Sequence, residues 1–167
     1  MMGAGKSSVG RALADLTGRV FIDTDLLLQQ RLGRPISQIF HIYGEQAFRD
    51  HEASIIRSLE PSESVISTGG GIVLREENWA EFSRLGLVVF LDASIETLIE
   101  RLTVSKKKRP LLQVEDWEDR TKAIWEGRLE LYRRADLTVT VDDVDLTNGA
   151  ERVLAAIRKY ECDANRP

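Results

Sequence analysis

Cysteine, histidine and proline are scarce in this chain of 167 residues, which has one, two and four of them respectively. The lone Cys162 excludes an internal disulfide and fits a reducing compartment, so a cytoplasmic protein is expected. With His41 and His51 as the only imidazoles, a Cys/His zinc cluster is not available. No apolar run approaches the length of a membrane span. No basic segment followed by an apolar one opens the chain, as a signal peptide would require. The net charge of −4 argues against a general nucleic-acid binder. What remains is 43% hydrophobic and 30% charged, the composition of a globular protein with a real core. Without repeats, linkers or low-complexity segments, a single domain over 1–167 is expected.

The most informative stretch is Met1-Met2-Gly3-Ala4-Gly5-Lys6-Ser7-Ser8. Gly5-Lys6-Ser7 is the closing half of a phosphate-binding loop, G-x-x-x-x-G-K-[ST]. Such a loop wraps backbone N–H groups around polyphosphate oxygens, so residues 3–8 are the candidate ATP-binding set. Lys6 would reach the β- and γ-phosphates, and the Ser7 hydroxyl would ligate Mg²⁺. The spacing puts the first glycine of the motif immediately before Met1. The buried strand that normally feeds such a loop is also missing, and a chain that starts late is the expectation. The alternative for this stretch is a chance Gly/Ala/Ser run on an ordinary helix.

Downstream, Val9, Ala12, Leu13 and Leu16 follow helical spacing. Val20-Phe21-Ile22 reads as a strand, 26–32 as a helix, and Ser37 as the N-cap of a short helix ending near Gly44. A longer helix covers 45–59, followed by a strand at Val65-Ile66-Ser67. After a helix at 76–84, Leu87-Val88-Val89-Phe90-Leu91 has no polar alternation, which predicts burial on both faces as in a parallel sheet. Helices at 95–102, 115–134 and 150–157 and a strand at 137–141 complete an α/β pattern.

In such sheets ligands bind beyond the carboxyl ends of the strands, where three signals fall. Asp23-Thr24-Asp25 suits Mg²⁺ handling and proton acceptance from a hydroxyl, or equally an N-cap and turn. Gly69-Gly70-Gly71 permits close approach of the backbone to a ligand, or a simple turn. Lys106-Lys107-Lys108-Arg109 forms a basic loop that suits a lid closing on ATP, with Arg109 the best placed and the lysines read as solvated. Two arginines, Arg49 and Arg128, lie on otherwise apolar helix faces. A buried arginine needs an anion, either a protein carboxylate or a ligand carboxylate gripped bidentately.

These pieces together resemble one family, the shikimate kinases. The matching residues are Met2-Gly3-Ala4-Gly5-Lys6-Ser7 with Val9-Gly10-Arg11; Asp23-Thr24-Asp25; Gly44-Glu45-Gln46 with Phe48-Arg49 and Glu52; Ser67-Thr68-Gly69-Gly70-Gly71; Arg109-Pro110-Leu111-Leu112; and Arg128 ahead of Leu131-Tyr132-Arg133. The resemblance implies a P-loop kinase-like three-layer α/β fold with a parallel sheet in the strand order two-three-one-four-five, and a lid at about 104–116. It implies transfer of the ATP γ-phosphoryl group to the 3-hydroxyl of shikimate, in the biosynthesis of chorismate and the aromatic amino acids. It also implies catalytic roles for Asp25, Lys6 and Arg109. Arg49, Arg128, Gly70, Gly71 and Asp25 would hold the substrate, and Ser7 and Asp23 the Mg²⁺. A monomer with no nucleic-acid or membrane partner is implied as well.

Two departures accompany it. No arginine stands near Leu146, where the family often has one beside the adenine, which leaves backbone and Arg101 for that role. The family's central first strand is absent, so poor ATP binding and a melting point below that of an upstream-extended chain are expected. The rival readings are a gluconate or nucleoside-monophosphate kinase of the same architecture, and a truncated ATP-binding relative with little or no catalysis.

Overall fold

A computed structural model describes residues 1–105, 110–112, 114–142 and 146–164. The basic loop at 106–109, with Arg109, lies outside the described residues.

Helix α1 (Lys6–Thr17) starts abruptly at Gly5, whose φ of 87° only glycine adopts without strain, and no side chain caps it. Its buried stripe is Val9, Leu13 and Ala14. Strand β1 (Val20–Asp23) runs directly into α2 (Thr24–Leu32). The two helices expected at 37–42 and 45–59 form one assigned element, α3 (Ile36–Ser58), broken inside by Gly44 at φ 78° and ψ 174°. The break is therefore where the sequence placed it. The start is not: Pro35 caps the helix, with its carbonyl accepting from Gln38 and Ile39, and Ser37 lies inside the first turn.

Strand β2 (Ser64–Ser67) leads through the glycine run to a single 3-10 turn, Ile72–Leu74, and α4 (Glu77–Leu85). Strand β3 (Val89–Asp92) is shorter than its apolar run. Leu87 is exposed, and the Val88 N–H donates to Asp136 Oδ2 instead of to a strand. Phe90 and Leu91, which point to opposite faces, are both buried, as the run predicts. Ser94 caps α5 (Ile95–Thr103) by accepting from the Thr97 N–H. A 3-10 turn at Pro110–Leu112, α6 (Trp117–Tyr132), β4 (Leu137–Thr140) and α7 (Leu146–Ala164) follow.

The strands form two parallel pairs. β1 lies on β2 with Asp23 opposite Ser67, and β3 lies on β4 with Asp92 opposite Thr140. Among the described residues no strand joins β2 to β3. The pairs fit the order expected from the resemblance, with its central position not filled by a strand. The main core joins Val9 and Leu13 of α1, Phe90 and Leu91 of β3, Leu98, Tyr132, Val139 and Val153, and includes Met1 and Ala4. A second cluster, around Leu28, Ile39, Phe48 and Ile55, fastens α2 to α3.

Candidate active site

The loop leading into α1 is built on two left-handed glycines, Gly3 at φ 82° and Gly5 at φ 87°. Gly3 is required twice over, because a Cβ there would also stand 3.2 Å from Leu98 O and 3.3 Å from Leu102 Cγ. Ser8 N–H and Val9 N–H donate to Gly5 O, which begins the helical ladder. Lys6 Nζ folds back to donate to Met1 O at 2.7 Å, and Ala4 is buried beneath. A helix start with no side-chain cap presents its first N–H groups to an incoming anion.

Beside this loop the last residues of β1 and β2 come together. Ser7 Oγ donates to Asp23 Oδ2 at 2.8 Å and lies 3.4 Å from Ser67 Oγ. The other carboxylate oxygen of Asp23 accepts from the Asp25 and Leu26 N–H groups at 3.0 and 3.2 Å. Asp23 thus caps α2 with one oxygen, as the N-cap reading expects, and meets Ser7 of the phosphate loop with the other. A hydroxyl and a carboxylate are hard oxygen donors that fit Mg²⁺. Among the described residues no group of three or more His, Cys, Asp or Glu could hold a metal by itself, so a divalent ion here needs ligand or water oxygens as well.

The glycine run is wedged among side chains, with no free turn. A Cβ on Gly69 would collide with Glu52 Oε1 and lie 3.0 Å from Asp25 Oδ1, and one on Gly71 would strike the Arg49 guanidinium. Asp25, Arg49 and Glu52 therefore line one side of the run.

Arg49, 7% exposed, donates to Glu45 Oε1 at 2.9 Å and Glu52 Oε2 at 2.5 Å. Its Nε is buried and has no hydrogen-bond partner among the described residues. Burial pushes the Glu52 carboxyl above the usual range, and the Arg49 cation opposes this without cancelling it. On the other side stands α6. Arg128, 8% exposed, reaches Gly70 O at 3.4 Å and forms no ion pair among the described residues. Tyr132 donates to the same carbonyl at 2.6 Å. Burial raises the Tyr132 pKa against the opposing Arg128 charge, so the phenol keeps its proton.

Asp25, Arg49, Gly70, Gly71 and Arg128, scattered over a hundred residues, are thus gathered beside Ser7 and Asp23. Glu52, Ser67 and Tyr132 belong to the same place and were not predicted as site residues. For Glu52 the available signal was its position, three residues after Arg49 on an apolar face. Arg101 donates to Val141 O at 2.6 Å and Asp142 O at 3.4 Å, which braces the turn after β4.

The chain and its fold are similar to those of known proteins. The family model for shikimate kinase matches residues 2–158. A shikimate kinase from Thermodesulfovibrio yellowstonii is 39% identical over 161 residues, which cover 96% of this chain and 91% of that protein. The solved structure of a shikimate kinase from Acinetobacter baumannii in complex with shikimate superposes with a TM-score of 0.89 at 35% identity, covering 95% of this chain and 89% of that one. A gluconokinase from Sinorhizobium meliloti shares the fold more loosely, with a TM-score of 0.58 and 23% identity over 95% of this chain and 87% of its own. The chain belongs to the shikimate kinase family, a family of ATP-dependent kinases.

Proposed function

We propose that the chain catalyses attack of the shikimate 3-hydroxyl oxygen on the γ-phosphorus of ATP. The O–P bond forms, the bond from the γ-phosphorus to the bridging oxygen breaks, and shikimate 3-phosphate and ADP leave. The observation that carries this reading is the gathering of the Asp25 and Glu52 carboxylates and two buried arginines around the glycine run, next to the phosphate loop.

In this reading Asp25 orients the acceptor hydroxyl and takes its proton. The Nε of Arg49 and the guanidinium of Arg128, which among the described residues have no hydrogen-bond partner and no ion pair respectively, are the donors for the shikimate carboxylate. Gly70 and Gly71 bring backbone close to the ring. Residues 3–8 wrap the phosphates, and Lys6 exchanges its bond to Met1 O for phosphate oxygens. Ser7 would hold Mg²⁺ directly and Asp23 through water; when bound, the ion neutralises charge on the β- and γ-phosphates. Arg109 is the lid residue in a lid at about 104–116 of a single domain over 1–167. The 3-10 turn after it leans on α3 and α6, which carry the two arginines. Phosphoryl transfer needs positioning and charge neutralisation above all, and these residues supply both.

No helix among the described residues is long and apolar enough to cross a membrane. The lone cysteine supports a cytoplasmic enzyme, which we take to act as a monomer.

The test is ADP release from Mg·ATP with shikimate, gluconate and a nucleoside monophosphate offered separately. Release with shikimate alone is expected. Release with another acceptor, or none with any, overturns the reading.

A further inference from the structure

We infer that the Tyr132 hydroxyl is a positioning group for the acceptor: it sets the distance and orientation between the glycine run and Arg128. This deepens the function proposed above and rests on it. The two strand pairs share no ladder hydrogen bonds among the described residues, so backbone pairing does not hold one half of the molecule to the other. The glycine run leaves β2 in the first half. Tyr132 and Arg128 stand on α6, whose end is fixed to the second half by the Tyr132 ring. That ring stacks on Phe90 of β3 with centroids 5.1 Å apart and planes 15° apart. From there the hydroxyl reaches across and donates to Gly70 O at 2.6 Å.

Arg128 and Tyr132 are four residues apart on α6, hence on one face, and both donors point at that one carbonyl. A planar trans peptide aims its C=O and the following N–H in opposite directions. Drawing Gly70 O onto Tyr132 therefore turns the Gly71 N–H away from α6. A phenylalanine would fill the same space and stack on Phe90 equally well. Besides a weak contact to Met1 Sδ at 3.8 Å and its interaction with the Arg128 side chain, the hydroxyl adds the bond to Gly70, and a part-buried carbonyl deprived of its short partner is freer to rotate.

The experiment is Tyr132→Phe, with steady-state constants for both substrates and the rise in melting temperature on adding shikimate alone, which needs no turnover. Val153→Ala, in the core but remote from the glycine run, is the destabilised control. The expected result is a KM for shikimate raised about tenfold, a KM for ATP within about twofold, a smaller shikimate-induced melting shift, and unchanged constants in Val153→Ala. An unchanged KM for shikimate in Tyr132→Phe overturns the inference, as does an equal rise in both KM values or the same change in the control. A wild-type enzyme that ignores shikimate overturns the proposed function itself, a failure visible before any variant is made.

Discussion

Arg49 and Arg128 are two buried arginines on two helices, nearly equal in exposure and opposite in circumstance. Arg49 is held by Glu45 and Glu52 and flanked by Phe48 and Phe40, whose ring centroids lie 5.2 and 6.0 Å from its guanidinium carbon. Arg128 reaches the Gly70 carbonyl at 3.4 Å, interacts with the Tyr132 side chain, and forms no ion pair among the described residues. In the proposed function both cations meet the substrate, but Arg49 is already ion-paired within the protein, whereas Arg128 has no ion pair among the described residues. Burial alone does not separate these cases; the partners do.

The largest effect should come from Arg128. Arg128→Ala is expected to lower kcat/KM for shikimate by about a thousandfold, the scale of losing a charge-assisted contact to a desolvated carboxylate. Urea unfolding of the same variant should show stability unchanged or slightly raised, because the buried cation removed has no ion pair among the described residues. A marked loss of stability would erase the contrast between the two arginines.

Arg49→Ala should cost activity as well, but it also strands Glu52, and about 3 kcal/mol of stability should go with it. This loss has a pH signature. The folded pKa of Glu52 lies above its unfolded value, so its contribution to stability is fully present below the unfolded value and declines as pH rises through the folded one. Without Arg49 the folded pKa rises further. The destabilisation by Arg49→Ala should therefore be smaller at pH 5 than at pH 8, read from urea midpoints at the two pH values. The opposite trend would mean that Glu52 is not the stranded group.

Gly71→Ala sharpens the comparison from the backbone side. Its φ of −97° suits any residue, so the objection to a Cβ is steric, and the atoms nearest to it belong to the Arg49 guanidinium. Displacing that side chain should cost about 1–3 kcal/mol and raise the KM for shikimate while leaving that for ATP alone.

The smallest effect belongs to a surface pair. Glu76 binds Arg134 through both oxygens at 2.6 Å but stands in solvent, so Glu76→Gln should shift the melting point by only about a degree and leave activity unchanged. A larger shift would mean that geometry matters more than burial in this protein.

The sequence by itself determined the α/β class, the phosphate loop, the break at Gly44 and the two arginines on apolar faces. Each of these is written in residues at most a few positions apart: a glycine's freedom, a lysine beside a serine, a charge recurring at helical spacing. Tertiary structure alone decided that Arg49 faces Glu45 and Glu52 while Arg128 faces the Gly70 carbonyl. It also decided that Asp23 serves α2 and Ser7 with different oxygens, and that Gly69-Gly70-Gly71 is pressed between side chains with no room to turn freely. Tyr132 is the clearest case, since its place in the sequence marks an ordinary core aromatic at a helix end. Its bond to Gly70 spans 62 residues. No local periodicity encodes such a contact; it exists because the Tyr132 ring at the end of α6 stacks on Phe90 of β3 and α6 lies against the 3-10 turn that follows the glycine run.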